Sequence, residues 1–318
     1  MNFLDTILTP FTYVVSWILW AFHELFTRIG MNPYSGVTWT LSIMFLVLLI
    51  RSALIPVFVK QIKAQRAMQA LQPDLRKLQA KYKGKTDQMS RQAMVQEQQA
   101  LFKKHKTNPL SSCLPLLVQM PFFFALFRVL NTASRASSEG RSVGALNADH
   151  IRSFDQSTIF GAPLSETFLG TINSGAVNPA VIVVAIIMIL AMTASQFITQ
   201  RQLMTKNMTK EALEGPFMQQ QKMMLYILPL VFGIGGINFP IGVLIYWTAS
   251  NLWTLGQQFW VIRNNPTPGS EAERELNARR AAKGLPPVGQ KKTEEAEPVV
   301  EPKGQRVQPQ RKNRRKKK

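Results

Sequence analysis

Residues 223–262 read MMLYILPLVFGIGGINFPIGVLIYWTASNLWTLGQQFWVI, forty residues without Asp, Glu, Lys, Arg or His. As one helix this run would be about 60 Å long, twice the roughly 30 Å hydrocarbon core of a bilayer, so it must fold back. Gly233, Gly235, Gly236 and the sequence Asn238-Phe239-Pro240 place the turn. The run therefore divides into a short span, 223–237, and a full one, 241–262. Upstream, three more stretches are long and apolar enough to cross: 37–59, with Arg51 as its one charge; 110–130, with only Arg128; and 179–198, with none. The expected architecture is all-α and polytopic, a five-span membrane core over 37–262.

Composition agrees. Charged residues make up 18% of the 318, yet the net charge is +20, so the charges are segregated. Residues 60–109 carry 12 Lys/Arg against 3 Asp/Glu, residues 201–222 carry 4 against 2, and residues 263–318 carry 16 against 7. By contrast, residues 1–36 hold 1 against 2 and residues 131–178 hold 3 against 4. Basic and acidic segments alternate across the five spans, which puts the N-terminus outside and the C-terminus in the cytoplasm. An ordinary soluble enzyme is excluded. The single cysteine, Cys113, rules out an intramolecular disulfide, and three scattered histidines leave little for a metal site.

The segments outside the spans have distinct characters. In 1–36 the twelve-residue apolar stretch 11–22 carries Trp17 and Trp20, and reads as an interfacial amphipathic helix on the outer side in preference to a signal anchor. No Lys or Arg precedes it, unlike a cleavable signal peptide. Residues 60–106 read as a helical hairpin: Ile62, Met68, Leu71, Leu75, Leu78 and Tyr82 recur at helical spacing, Pro73 kinks the first arm, Gly84 turns, and Asp87 caps the second. Such a hairpin is either a solvated connector or a docking arm for a partner. The outer loop is 131–178. Residues 263–318, rich in Pro, Gly and charge, are expected to be disordered. They end on a basic run, Arg311, Lys312, Arg314, Arg315, Lys316, Lys317 and Lys318, suited to anionic lipid or to ribosomal RNA.

Arg51 is the most informative single residue. It lies eight residues inside the expected end of its span, where an arginine costs roughly 2.5–3.5 kcal/mol on insertion scales. No span contains Asp or Glu, so an internal salt bridge is excluded. Water, uncharged polar groups or a charge brought from elsewhere must compensate it, which implies a wetted cavity open to the cytoplasmic leaflet. Gln119, Gln196, Tyr246, Thr248 and Asn251 are the polar candidates within the spans. Pro115 and Pro121 interrupt the second span beside the run Phe122-Phe123-Phe124, an adaptable apolar face. No GxxxxGK[ST] loop, nucleophile–base pair or metal cluster is present, so no enzyme or cofactor is expected. On these residues alone, an anion transporter and a membrane-bound ribosome receptor stay open. The odd span count and the lack of an inverted repeat count against the transporter, and a receptor leaves Arg51 without a task.

Several stretches, in order, carry a family resemblance. IRSALIPVFVKQIKAQRAMQALQP (50–73), NPLSSCLPLLVQMPFFFALFRVL (108–130), MQQQKMMLYILP (218–229) and FPIGVLIYWTASNLWTLGQQ (239–258) resemble the YidC/Oxa/Alb membrane insertases. The short segment before the first core span is similar to the Gram-positive, actinobacterial type. The resemblance implies five helices around a hydrophilic groove open to the cytoplasm and to lipid. Arg51, Gln119, Gln196, Tyr246, Trp247 and Asn251 would line it, and Phe122, Phe123 and Leu228, on the second and fourth spans, would form an apolar slide. Val47 is apolar where some relatives carry threonine. The implied partners are nascent membrane-protein clients, the ribosome, the Sec translocon and anionic lipids; the implied activity, insertion and chaperoning of clients, needs no nucleotide hydrolysis.

Overall fold

The computed structural model describes residues 3–105, 107–108, 114–213 and 217–288. Cys113 and the basic run 311–318 lie outside the described residues. Helix α1 (Phe3–Arg28) and α2 (Gly36–Ala53) are followed by α3 (Ile55–Ala70), α4 (Gln72–Lys81) and α5 (Gln88–Lys104). Helix α6 (Leu114–Asn131) leads into a cap built from α7 (Ala133–Ser138), α8 (Ala148–Gln156), strands β1 (Thr158–Ile159) and β2 (Ala162–Pro163), and α9 (Phe168–Asn173). The chain then runs through α10 (Pro179–Asn207), α11 (Lys210–Leu213), α12 (Phe217–Gly235), a 3₁₀ turn at Gly236–Asn238, α13 (Ile241–Asn264) and α14 (Glu271–Ala281). The two strands pair antiparallel, with Thr158 opposite Pro163 and Ile159 opposite Ala162.

Helices α2, α6, α10, α12 and α13 occupy the five expected spans. Thr6–Arg28, Gly36–Ala53 and Pro179–Asn207 are long and apolar enough to cross a membrane, and Leu117–Asn131 is a shorter apolar helix. The forty-residue run folds back where the glycines and Pro240 placed it. Local chemistry explains the starts: Ser35 Oγ accepts from the Val37 N–H at 3.2 Å, and Asn178 Oδ1 accepts from Ala180 at 3.0 Å with Pro179 in the first turn.

The boundaries differ from expectation in three places. The first span ends at Ala53, not residue 59: Pro56 cannot donate a backbone hydrogen bond, and Leu54 is left as a joint between α2 and α3. Arg51 therefore sits in the last turn of α2. Helix α10 continues past residue 198 to Asn207, a length of about 43 Å. The loop 131–178, whose order the sequence leaves open, is a folded cap. Finally, residues 264–288, expected to be disordered with the rest of the tail, contain α14. Its N-terminus is a capping box: Ser270 Oγ accepts from the Glu273 N–H at 3.3 Å while Glu273 Oε2 accepts from the Gly269 N–H at 2.7 Å. Lys206 of α10 bridges Glu271 at 2.9 Å and Glu275 at 2.5 Å. Ser270→Ala is expected to cost about 1 kcal/mol locally, read as roughly fivefold faster amide exchange across 271–281 with no change in α2.

The hairpin forms over α3–α5 as expected. A small cluster of Met68, Leu71 and Leu75 packs against Leu101 and Phe102. Gly84 turns with a positive φ of 83°, and Asp87 accepts from the Ser90 N–H at 2.8 Å, which holds its carboxyl below the usual range. Lys81 reaches Glu97 across the hairpin at 2.6 Å.

Packing is polarised along the bundle. The main core gathers Trp39, Ile43 and Leu46 of α2, Leu126 and Leu130 of α6, Val181 and Ala185 of α10, and Ile241 and Leu244 of α13. Leu146, Phe154 and Leu164 of the cap join the same cluster. Most of these lie in the halves of the helices nearest the cap. Among the described residues, the hairpin-side halves contribute to the buried cluster only through Leu46, Val47 and Ile50 of α2.

Candidate functional site

Where the core ends, polar side chains begin. Arg51 Nη2 donates to Ser250 Oγ of α13. One turn earlier on α13, the Tyr246 hydroxyl accepts from Gln119 Nε2 of α6 at 2.8 Å. Tyr246 and Ser250 are four residues apart, so they share one face of α13 and present it to α2 and α6 together. Among the described residues no Asp or Glu forms an ion pair with Arg51. The carbonyl oxygens of Gln119 and Gln196 are buried without a hydrogen-bond partner.

Below this line the helices part. Arg51, Ile55, Phe58, Ile62 and Arg66 follow at intervals of three and four along α2 and α3, and so share a face. On α13, Tyr246, Ser250, Trp253, Gln257 and Trp260 do the same. Between the two faces lies a cavity of about 660 Å³, lined by Ile55, Phe58 and Ile62 on one side and Leu252, Trp253 and Trp260 on the other, with Lys63 and Arg66 also at its wall. The Trp253 indole N–H is buried without a partner, and Arg66 closes the far end by donating to the Asn265 carbonyl. The wall is mostly apolar, and Lys63, Arg66, Gln257 and Asn265 are its polar members.

The residues singled out from sequence separate into three groups. Arg51 and Gln119 both reach the face of α13 that carries Tyr246 and Ser250. Asn251 turns toward α10, donating to the Met192 carbonyl at 3.3 Å, and Thr248 donates to Met188 at 3.5 Å; both stitch α13 to α10. Gln196 lies on α10, with no protein partner for its carbonyl oxygen. Trp247 faces the opposite way, into rings: Phe123 at 4.9 Å, Phe232 at 4.8 Å and Phe239 at 5.5 Å between centroids.

The apolar face is also redistributed. Phe122 packs edge-on against Phe11 of α1 at 5.5 Å, and Phe123 belongs to the Trp247 cluster. Leu228 is half-buried. The exposed surface belongs instead to Leu117, Met120 and Phe124 of α6 and to Ile227, Leu230, Val231 and Ile234 of α12. Their spacing of three or four was visible in the sequence, but not which way each helix faced. Ser250 was missed altogether; the four-residue interval from Tyr246 was the available signal. Val47 is buried in the core, consistent with its apolar side chain.

Comparisons with known proteins agree with this architecture. The family described as 60Kd inner membrane protein matches residues 30–268. A protein named membrane protein insertase YidC from Streptomyces avermitilis is 49% identical over 277 residues, covering 85% of this chain and 62% of that protein. The protein of the same name from Tropheryma whipplei strain Twist is 43% identical over 318 residues, covering 98% of this chain and 97% of that one. The one from Bifidobacterium longum is 35% identical over 329 residues, covering 99% and 96%. This chain thus spans less than two thirds of the Streptomyces relative and nearly all of the other two. A solved structure, described as an active YidC insertase crystal structure with the first transmembrane domain resolved, aligns over 82% of this chain and 47% of that one, at 21% identity and a TM-score of 0.44. With the family pattern running through α2 to α13 and relatives matched almost end to end, the chain belongs to the 60Kd inner membrane protein family, alongside the YidC proteins of actinobacteria.

Proposed function

We propose that the protein is a membrane protein insertase that takes newly made membrane segments from the cytoplasmic side into the bilayer, as the names of its relatives indicate for them. The observation that carries this reading is the position of Arg51: a cation with no acidic partner among the described residues, held by Ser250 where the packed core gives way to a cavity on the hairpin side. The net charges of +9, +2 and +9 on the segments expected inside, against −1 and −1 on those expected outside, support a cavity facing the cytoplasm and a cap facing outward.

In this reading an acidic residue in the client's translocated segment is drawn to Arg51. The carbonyl oxygens of Gln119 and Gln196 need a donor, since a buried polar atom without one costs about 1–3 kcal/mol. Water or the client's own polar groups meet that need. The client's apolar flank passes over Phe124, Ile227 and Leu230 into lipid, and burial in hydrocarbon drives the step. No nucleotide is required. The cap holds the outer ends shut.

Helix α1, although long and apolar enough to cross, is read here as lying along the outer side of this bundle. Phe11 meets Phe122, and Phe22 and Phe26 meet Phe45 at 5.6 and 5.2 Å. Each α6 or α2 partner lies about 13 Å in from its helix's cap end. Between them Ser16 Oγ accepts from the Ala145 N–H of the cap at 2.8 Å. Contacts at similar depth along fifteen residues of α1 favour an interfacial helix.

The test is twofold. Cells depleted of the protein should fail to insert single-span clients, and a photocrosslinker at Arg51, Trp253 or Phe124 should capture a ribosome-stalled client. Capture only from cap residues would overturn the groove. The ribosome contact is assigned to the basic run Arg311–Lys318, with Sec translocon and anionic lipid as the other partners at this face. Deleting 289–318, which spares α14, is expected to weaken ribosome cosedimentation, increasingly as salt rises; unchanged binding would remove the tail's role.

A further inference from the structure

Two of the three histidines that look scattered in the sequence meet in the fold. His23 and Glu24 of α1 and His150 of α8 each offer a ligand atom, and these atoms all lie within 4.8 Å of one another. The hydrogen bonds around them fix the protons. Asn147 caps α8, its Oδ1 accepting from the His150 backbone N–H at 2.9 Å, so that atom is the amide's oxygen. His150 Nδ1 faces the same oxygen at 2.5 Å and must be the ring's donor. In the neutral ring, Nε2 is then a bare lone pair, yet it points at Glu24 Oε1 only 3.0 Å away, another acceptor. His23 repeats the pattern: Nε2 faces the Pro33 carbonyl at 3.0 Å and must donate, leaving Nδ1 as a lone pair that is buried with no partner.

We propose that His23, Glu24 and His150 bind one divalent transition-metal ion, Zn²⁺ by ligand chemistry, and that this ion fastens α1 to the cap. Two imidazoles and a carboxylate suit zinc, with water in the fourth position. Ligand atoms around a tetrahedral zinc stand about 3.3 Å apart, and the His150–Glu24 pair is already near that separation. The supporting contacts are those that orient metal-bound histidines: each ring's other nitrogen donates to a carbonyl oxygen, of Pro33 or Asn147. His23 is clamped further by the fully buried Trp39, stacked on it at 4.0 Å, whose indole N–H donates to Ser153 of α8 at 3.0 Å. Arg28 lies 3.9 Å from Glu24 Oε2 and leaves Oε1 to the site. The Glu24 side chain is 30% exposed and that of His150 15%, so the site is reachable from solvent. A proton on His150 would also reconcile it with Glu24, but would leave His23 Nδ1 unmet.

The test uses the tag-free full chain in nanodiscs, stripped with chelator and titrated with Zn²⁺, with Co²⁺ as a spectroscopic probe. The expected result is one equivalent of zinc per chain, the visible absorption of tetrahedral Co²⁺, and a thermal midpoint that zinc raises. His150→Gln and Glu24→Gln should each weaken binding at least about a hundredfold, the upper end of what even supporting contacts contribute. Their midpoints in chelator should match the unsubstituted chain, showing that they fold. His105→Gln, altering the histidine beside Asp74 in the hairpin, should change nothing. No zinc bound by the unsubstituted chain, or equal binding by His150→Gln, overturns the proposal and leaves a proton-bridged pair.

Discussion

Gly36→Ala is expected to loosen the whole cap. A Cβ on Gly36 would stand 2.1 Å from the Thr158 carbonyl oxygen and 2.4 Å from its carbon, both main-chain atoms that no rotamer can move aside. Nor can β1 retreat. Ser157 Oγ is shared between the Tyr34 and Ser153 carbonyls at 3.0 and 2.6 Å, and the Leu164 N–H returns to the Ser157 carbonyl at 3.0 Å. The strand pair is laced in turn to α13, where Gly242 donates to Leu164 and Ile241 to Glu166, each at 2.9 Å. Relief therefore means moving α2 away from the cap or breaking that lacing, at a cost of about 3 kcal/mol, the upper range for overpacked sites. Amide exchange in 146–168 should rise about a hundredfold and the thermal midpoint should fall. Gly235→Ala is the control: its Cβ meets nothing within 4 Å and its φ of −61° is helical, so the change should be neutral or slightly stabilising. Equal effects from the two substitutions would mean the cap is not held at Gly36.

How much of this was legible in the sequence follows from which forces act locally. The apolar runs were legible because a bilayer demands about twenty uncharged residues in a row, and little else produces them. Arg51 stood out because a lone charge in such a run is costly. Its helix end was hidden for the same reason: residues 54–59 are as apolar as the span before them, and only Pro56 marked the break. Ser250 was invisible because one hydroxyl in a membrane helix is unremarkable until its neighbour is known. The direction of Trp247, Phe122 and Phe123 depends on helix rotation, which an all-round apolar helix leaves undetermined. The cap looked like a Ser- and Gly-rich loop, although Asn147, Thr167 and Asn178 were cap signals at the starts of α8, α9 and α10. The capping box of α14 was likewise readable as S-E-A-E, and was outweighed by the charged composition around it. The His23–Glu24–His150 group could not be read at all, since 126 residues separate Glu24 from His150.

The second large effect is expected at the groove. Arg51→Glu should reduce insertion of clients whose translocated segment carries acidic residues by at least tenfold, while sparing clients with a neutral segment. Two unit charges about 5 Å apart interact by roughly 3 kcal/mol at an effective dielectric of 20, so removing the attraction alone exceeds a tenfold effect, and reversal adds repulsion. The substitution leaves Ser250 without a donor, but its hydroxyl can turn to donate to water or to the new carboxylate. Packing changes little, since Arg51 is only partly buried and belongs to none of the apolar clusters. The thermal midpoint should therefore stay close to that of the unsubstituted chain, which separates loss of function from loss of fold. Arg51→Lys should restore most of the activity, because the pull on a carboxylate depends on charge more than on guanidinium geometry. Insertion of paired clients, identical except for Asp-to-Asn changes in the translocated segment, provides the measurement. An equal deficit for both members would mean that Arg51 shapes the cavity without attracting the client, and no deficit for either would mean that the charge takes no part in insertion. Selective failure of the acidic client is the expected outcome: Arg51, without an acidic partner among the described residues and one turn before Ile55 at the wall of a largely apolar cavity, distinguishes the two clients by their charge.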